Sequence, residues 1–132
     1  MVVLDTHALL WWASSDKAQL SAAAQQAIDA ELHGGQIMVS SISAWELGML
    51  VAKGRVALSM NTLAWLSIVN QIEAISFVPV DNEIAVGSAT LPGEFHKDPA
   101  DRIITATARK LAAPLITADD KIRAYPHVIT LW

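Results

Sequence analysis

Five apolar runs of three to five residues punctuate this chain: VVL (2–4), IMVS (37–40), SFVPV (76–80), PLIT (114–117) and VITL (128–131). Each is too short for a buried helix, and their content of Val, Ile and Leu matches strands covered on both faces. The segments between the first four are long enough to hold a helix. Strands joined by such crossovers pair in parallel, and a parallel sheet requires helices on both sides. The pattern therefore predicts an α/β fold with a central parallel sheet of four to five strands, in one domain spanning residues 1–132.

The helices can be placed from their own signals. THALLWWA follows the first run. SAAAQQAIDAELH (21–33) is Ala-rich, with Ser21 as its N-cap and Gly34-Gly35 as its stop. Ser43 to Lys53 reads as a helix halted at Gly54, and Asn61 to Glu73 as another, with Leu63, Leu66 and Val69 on one stripe. A short helix runs from Asp81-Asn82 to about Ser88. The loop LPGEFHKDP then leads to a helix from Pro99 to Leu111, and DDKIRA forms a last short one before the final strand.

Acidic residues recur at the ends of these apolar runs or in the helix starts near them: Asp5, Glu46, Asp101 and Asp119. Open α/β sheets bind ligands beyond the carboxyl ends of their strands, so all four can reach one edge. Each also has a local role. Asp5 can cap the helix that starts at Thr6, and Ser43-x-x-Glu46 is the pattern of a capping box. Asp98 before Pro99 reads mainly as an N-cap. That leaves Asp101, at the third helical position, as the better ligand. Asp119 is preferred over Asp120 because it lies nearer the strand end, and Thr117 offers a hydroxyl in the same region.

If the four meet, each like-charged pair at 4 Å costs about 4 kcal/mol at an effective dielectric near 20, and a cation is the usual remedy. Hard oxygen donors select Mg²⁺ or Mn²⁺, ions that serve phosphate chemistry. Asp5 and Asp101 are the principal ligands expected, with Glu46 and Asp119 binding directly or through water. Asp98 and Asp120 are possible additions. Thr6, Arg102 and Lys97 are candidate phosphate contacts.

Other chemistries find little purchase. There is no Cys, which removes disulfides, thiolate metal sites and thiol nucleophiles and fits a reducing, cytoplasmic setting. His7, His33, His96 and His127 lack metal-ligand spacing and read as surface or supporting groups. No glycine-rich phosphate loop and no G-x-S-x-G elbow occurs. The apolar start is too short to span a bilayer, and no later run is long enough, so no membrane role is expected. A net charge of −4 argues against broad binding to nucleic acid, although six of the nine basic residues lie between Lys97 and Arg123 and could rim an acidic centre. Hydrophobic content of 53% against 17% charged, with five Trp, is rich for a small monomer and points to a dimer or a partner protein.

The stretches LDTHALLWW, SISAWELGML, HKDPADRIITATA and LITADDKI, in this order and spacing over nearly the whole length, resemble the PIN-domain ribonucleases, in particular VapC-like toxins of type II toxin–antitoxin systems. The resemblance implies a three-layer α/β/α sandwich and an Mg²⁺- or Mn²⁺-dependent endoribonuclease. It carries ligand roles onto Asp5, Glu46, Asp101 and Asp119. It also implies a homodimer, and a cognate antitoxin that holds the enzyme inactive. Two alternatives are set beside it: an Mg²⁺-dependent aspartyl phosphotransferase or receiver-like domain, against which the absence of a D-x-D at Asp5 speaks, and a partner-binding scaffold in which all four acids are only caps.

Overall fold

A computed structural model describes residues 1–14 and 17–132. Five parallel strands form one sheet: β1 (Val2–Leu4), β2 (Ile37–Ser40), β3 (Ile75–Val78), β4 (Leu115–Ile116) and β5 (Thr130–Leu131). Their spatial order is β3-β2-β1-β4-β5, which puts β1 at the centre. The chain builds outward from β1 to β2 and β3, then crosses back to lay β4 and β5 on the other side. The reversal leaves a crevice beyond the carboxyl ends of β1 and β4, where adjacent connections leave the sheet in opposite directions.

Side-chain alternation along the strands divides the core into two. Val2 and Leu4 of β1, Ile37 and Val39 of β2, and Ile116 of β4 face one layer, made by α1 (Thr6–Ala13), α2 (Ala22–Glu31), α3 (Ile42–Ala52) and α4 (Thr62–Asn70). Val3 and Leu115 face the other, built largely on α6 (Pro99–Leu111) and α7 (Asp120–Arg123). There α5 (Asn82–Ala89) packs against α6 through Ile84 and Ala106. The period of two, with apolar residues at both phases, is what a sheet covered on both faces requires. The α/β/α sandwich with a parallel sheet is the architecture expected.

Several boundaries differ from the sequence reading. Strand β3 starts one residue earlier and stops before Pro79, which has no N–H to donate to a ladder. Strands β4 and β5 pair over only two residues each. Helix α4 ends at Asn70 rather than Glu73, and a 3-10 turn over Lys17–Gln19 was not anticipated. Helix stops held at Gly34 and Gly54, whose φ of 87° and 70° lie in the left-handed region open to glycine.

The capping box is not formed. Helix α3 starts at Ile42, with Ser41 at the cap position and no side-chain cap bond, so Ser43 already lies inside the helix and Glu46 is its fifth residue. The Ser43 hydroxyl instead accepts a hydrogen bond from Thr6 Oγ1 at 2.9 Å, tying α3 to α1. That leaves the Glu46 carboxylate free to face outward.

The central strand bears the most load. Leu4 is fully buried between two neighbouring strands and the α1 layer. Leu4→Ala is expected to lower the unfolding free energy by about 2–5 kcal/mol, measured by urea denaturation monitored at far-UV wavelengths; a loss under about 1 kcal/mol would contradict the placement of the core.

Candidate metal centre

Beyond the ends of β1 and β4 lies a cleft of about 410 Å³, lined by Asp5, Thr6, His7, Trp11, Glu46, Asp98, Asp101, Ala118 and Asp119. All four sequence-selected acids meet here, drawn from four separate segments of the chain. Asp98 joins them. Glu46, Asp98 and Asp101 form the tightest group, each offering an oxygen within 4.8 Å of the others. Asp120, by contrast, is exposed in the first turn of α7 and does not line the cleft.

Capping and lining coincide in three of the five. Asp5 Oδ1 accepts from Ala8 N at 2.8 Å at the start of α1. Asp98 Oδ1 accepts from Asp101 N at 2.9 Å at the start of α6, with Pro99 next, as its sequence signature predicted. Asp119 Oδ1 accepts from the amides of Lys121 and Ile122 at the start of α7. A cap uses one lone pair and leaves the rest of the carboxylate free, so a cap can still be a ligand.

A second layer holds the acids in place. Thr117, fully buried, bonds the Asp5 carboxylate, and its hydroxyl accepts from Asp119 N at 3.1 Å, linking both strand-end acids through one side chain. His96 Nε2 lies 2.7 Å from Asp101 Oδ2. His96 was read from the sequence only as a surface or supporting residue; its spacing from Asp101 had no distinguishing signal. Nor were His7 and Trp11 expected in the lining, although their spacing of four places both on one face of α1.

Arg102, a candidate phosphate contact, does not line the cleft. Its Nε donates to the Ser88 carbonyl at 2.8 Å, and Nη1 donates to those of Phe95 and His96 at 3.0 and 3.1 Å, while the guanidinium sits over the Phe95 ring. Committed to three carbonyls, it braces the loop that carries His96 and Asp98. The expected basic rim fails more widely. Arg109 bonds the His127 carbonyl and Lys110 pairs with Asp81 and Glu83. No Lys or Arg lines the cleft; Lys97 is exposed on the loop beside it. Thr6 lines the cleft while donating to Ser43.

The charge imbalance shows in the acids. Burial pushes the Asp5 carboxyl up to about 6, with the Asp101 charge adding to it, against the opposing hydrogen bonds from Thr117 and Ala8 and the attraction of His7. Burial also raises Asp101, helped by Asp98 and Asp119 and opposed by the hydrogen bond from His96. An all-oxygen carboxylate set gathered around a buried Asp5, with no Lys or Arg among the described residues of the lining, fits a hard divalent ion and suits neither a soft metal nor an organic anion.

The sequence model of the PIN domain family matches residues 2–128. Ribonuclease VapC22 of Mycobacterium tuberculosis is 36% identical over 133 residues, covering 99% of this chain and 98% of that protein. The chain is a PIN-domain protein of the VapC group. Among solved structures, VapBC2 from Rickettsia felis bound to a promoter DNA fragment superposes with a TM-score of 0.71 at 18% identity, covering 98% of this chain and 97% of the other. A toxin–antitoxin complex from Klebsiella pneumoniae gives 0.66 at 22%, again with 98% and 97% covered. At these identities the likeness concerns the PIN fold itself, including the sheet edge that gathers the acids.

The raised Asp5 has a consequence for stability. Its folded value lies above the ordinary 3.8, so its contribution without a divalent ion is fully present below about pH 4 and is lost as pH rises through about 6. Asp5→Asn keeps the cap acceptor and removes the charge. In EDTA the variant should gain on the parent by as much as about 3 kcal/mol between pH 4 and pH 8. Thermal melts across that range check it, and a gap independent of pH would refute the assignment.

Proposed function

We propose that this PIN-domain protein is a metal-dependent endoribonuclease that acts as the toxin of a type II toxin–antitoxin pair. The observation that carries the reading is the convergence of Asp5, Glu46, Asp98, Asp101 and Asp119 in one cleft that no Lys or Arg among the described residues lines. The kinship with a named ribonuclease over the full chain supports the substrate class. The receiver-like alternative gains nothing from these relatives.

When bound, Mg²⁺ or Mn²⁺ would supply Lewis acidity, lowering the pKa of a coordinated water and offsetting charge on phosphoryl oxygens. The protein's own groups divide the remaining work. Asp5, Glu46, Asp98, Asp101 and Asp119 would hold the cation, directly or through water. Thr117 fixes the Asp5 carboxylate and His96 that of Asp101. Glu46 makes no hydrogen bond or ion pair with the described residues, so its Oε atoms are available to orient the attacking water and receive its proton. Thr6 Oγ1 gives its one proton to Ser43 and keeps only acceptor capacity, which suits a bound water rather than a phosphate oxygen, while the exposed Lys97 ammonium lies on the adjoining loop, where it can meet phosphates outside the cleft.

Partners follow from surface chemistry. Trp45, Leu63, Ile68, Val86 and Ile129 are each more than half exposed, apolar surface that a partner protein could cover. A cognate antitoxin and a second copy of the chain are the occupants this reading assigns, in a cytoplasmic setting. The structural relatives from Rickettsia felis and Klebsiella pneumoniae, VapBC2 and a toxin–antitoxin complex, agree with the first. No helix among the described residues is long and apolar enough to cross a membrane.

Purified protein should cleave single-stranded RNA with Mg²⁺ or Mn²⁺ and stop in excess EDTA. Asp5→Asn and Asp101→Asn should each lower the rate by about a hundredfold or more while circular dichroism stays unchanged. Full activity in EDTA, or in a folded Asp5→Asn protein, would sink this mechanism.

A further inference from the structure

We propose that His7 and Trp11, braced by Trp132, form a stacking platform that seats an RNA base beside the acidic cleft. This deepens the ribonuclease reading and rests on it. His7 and Trp11 lie one turn apart on α1, with ring centroids 5.5 Å apart at an interplanar angle of 49°. Trp132 packs against Trp11, with ring centroids 5.8 Å apart at 57°. Both α1 rings line the cleft that holds Asp5 and Asp101.

The neighbouring Trp12 shows what a purely structural role looks like: it is 5% exposed and belongs to the core. Trp11 is only half-buried, and His7 is exposed. Trp132 stands in ring contact with Trp11, and a side chain already packed on one neighbour has less entropy to lose when a base arrives.

Charge explains why such a platform is needed. The walls of the cleft carry five carboxylates and no Lys or Arg, and the whole chain is net −4, so its own electrostatics oppose a polyanion. The cation offsets this only at the phosphate it touches. Stacking on aromatic rings is indifferent to the sign of the surrounding charge and works for every base, because each has a π-face. An aromatic pair next to the reacting phosphate supplies affinity that the walls cannot, and it holds the adjoining nucleotide in register for in-line attack.

The test uses the intact protein with Mn²⁺ and short single-stranded RNA oligonucleotides of mixed sequence, then the best-cleaved member. Trp11→Leu should raise KM about tenfold with kcat within about twofold, and Trp11→Phe should stay within about twofold of the parent in both. Replacing each base of the oligonucleotide in turn by an abasic site should identify one position flanking the cut that costs the parent enzyme about tenfold and costs Trp11→Leu nothing further. The abasic series in the parent needs no variant to fold. A flat series in an enzyme that cleaves overturns the platform, whatever the variants do, and assigns Trp11 to packing over Trp132. Failure of the parent to cleave any RNA with Mg²⁺ or Mn²⁺ removes the ribonuclease reading itself, and the platform with it.

Discussion

A carboxylate buried at the end of the central strand, with no Lys or Arg among the described residues of its cleft, is the constraint around which this protein is arranged. Asp5 sits at the one place in the sheet where connections diverge, so the crevice it faces is made by topology rather than by any loop. Gathering further acids there raises the cost of ionising each one, as the upward displacement of Asp5 and Asp101 records. Helix N-termini repay part of it. Asp5 and Asp98 each cap a helix whose amide dipoles favour negative charge. What remains is a concentration of negative charge that a hard cation would offset.

Rigid support keeps the acids from relaxing apart. The Thr6–Ser43 bond joins α1 to α3, and Thr117 spans Asp5 and Asp119. Arg102 ties the loop before α6 to α5 through three carbonyls, thereby placing His96 against Asp101. None of these groups needs to touch a substrate. They act by denying the carboxylates any geometry in which their repulsion would be lower, which is the usual cost of a preorganised ion site.

Much of this was readable from residue order. The five apolar runs and the helix-length segments between the first four led to the parallel sheet, and the acids near strand ends pointed to a shared edge. Asp98-Pro99 and Ser21 capped the helices they were expected to cap. Errors clustered where a side chain had two possible partners. Ser43 and Glu46 fit a local motif, yet α3 begins two residues sooner than the motif requires, and Ser43, inside the helix, bonds across to Thr6. Arg102 looked like a phosphate ligand because it follows Asp101 in the chain, but consecutive residues on a helix point some 100° apart, and its side chain turns away to the loop carbonyls.

The sequence by itself determined the fold class, the succession of elements and the acidic character of the site, because strand length, helix caps and charge are local properties written in neighbouring residues. Only the tertiary structure decided that Asp98 enters the cluster while Asp120 stays outside, that His96 serves Asp101, and that the basic residues leave the cleft bare. Those outcomes depend on which atoms of distant segments come within a few ångströms, and that follows from strand order and helix packing rather than from spacing along the chain.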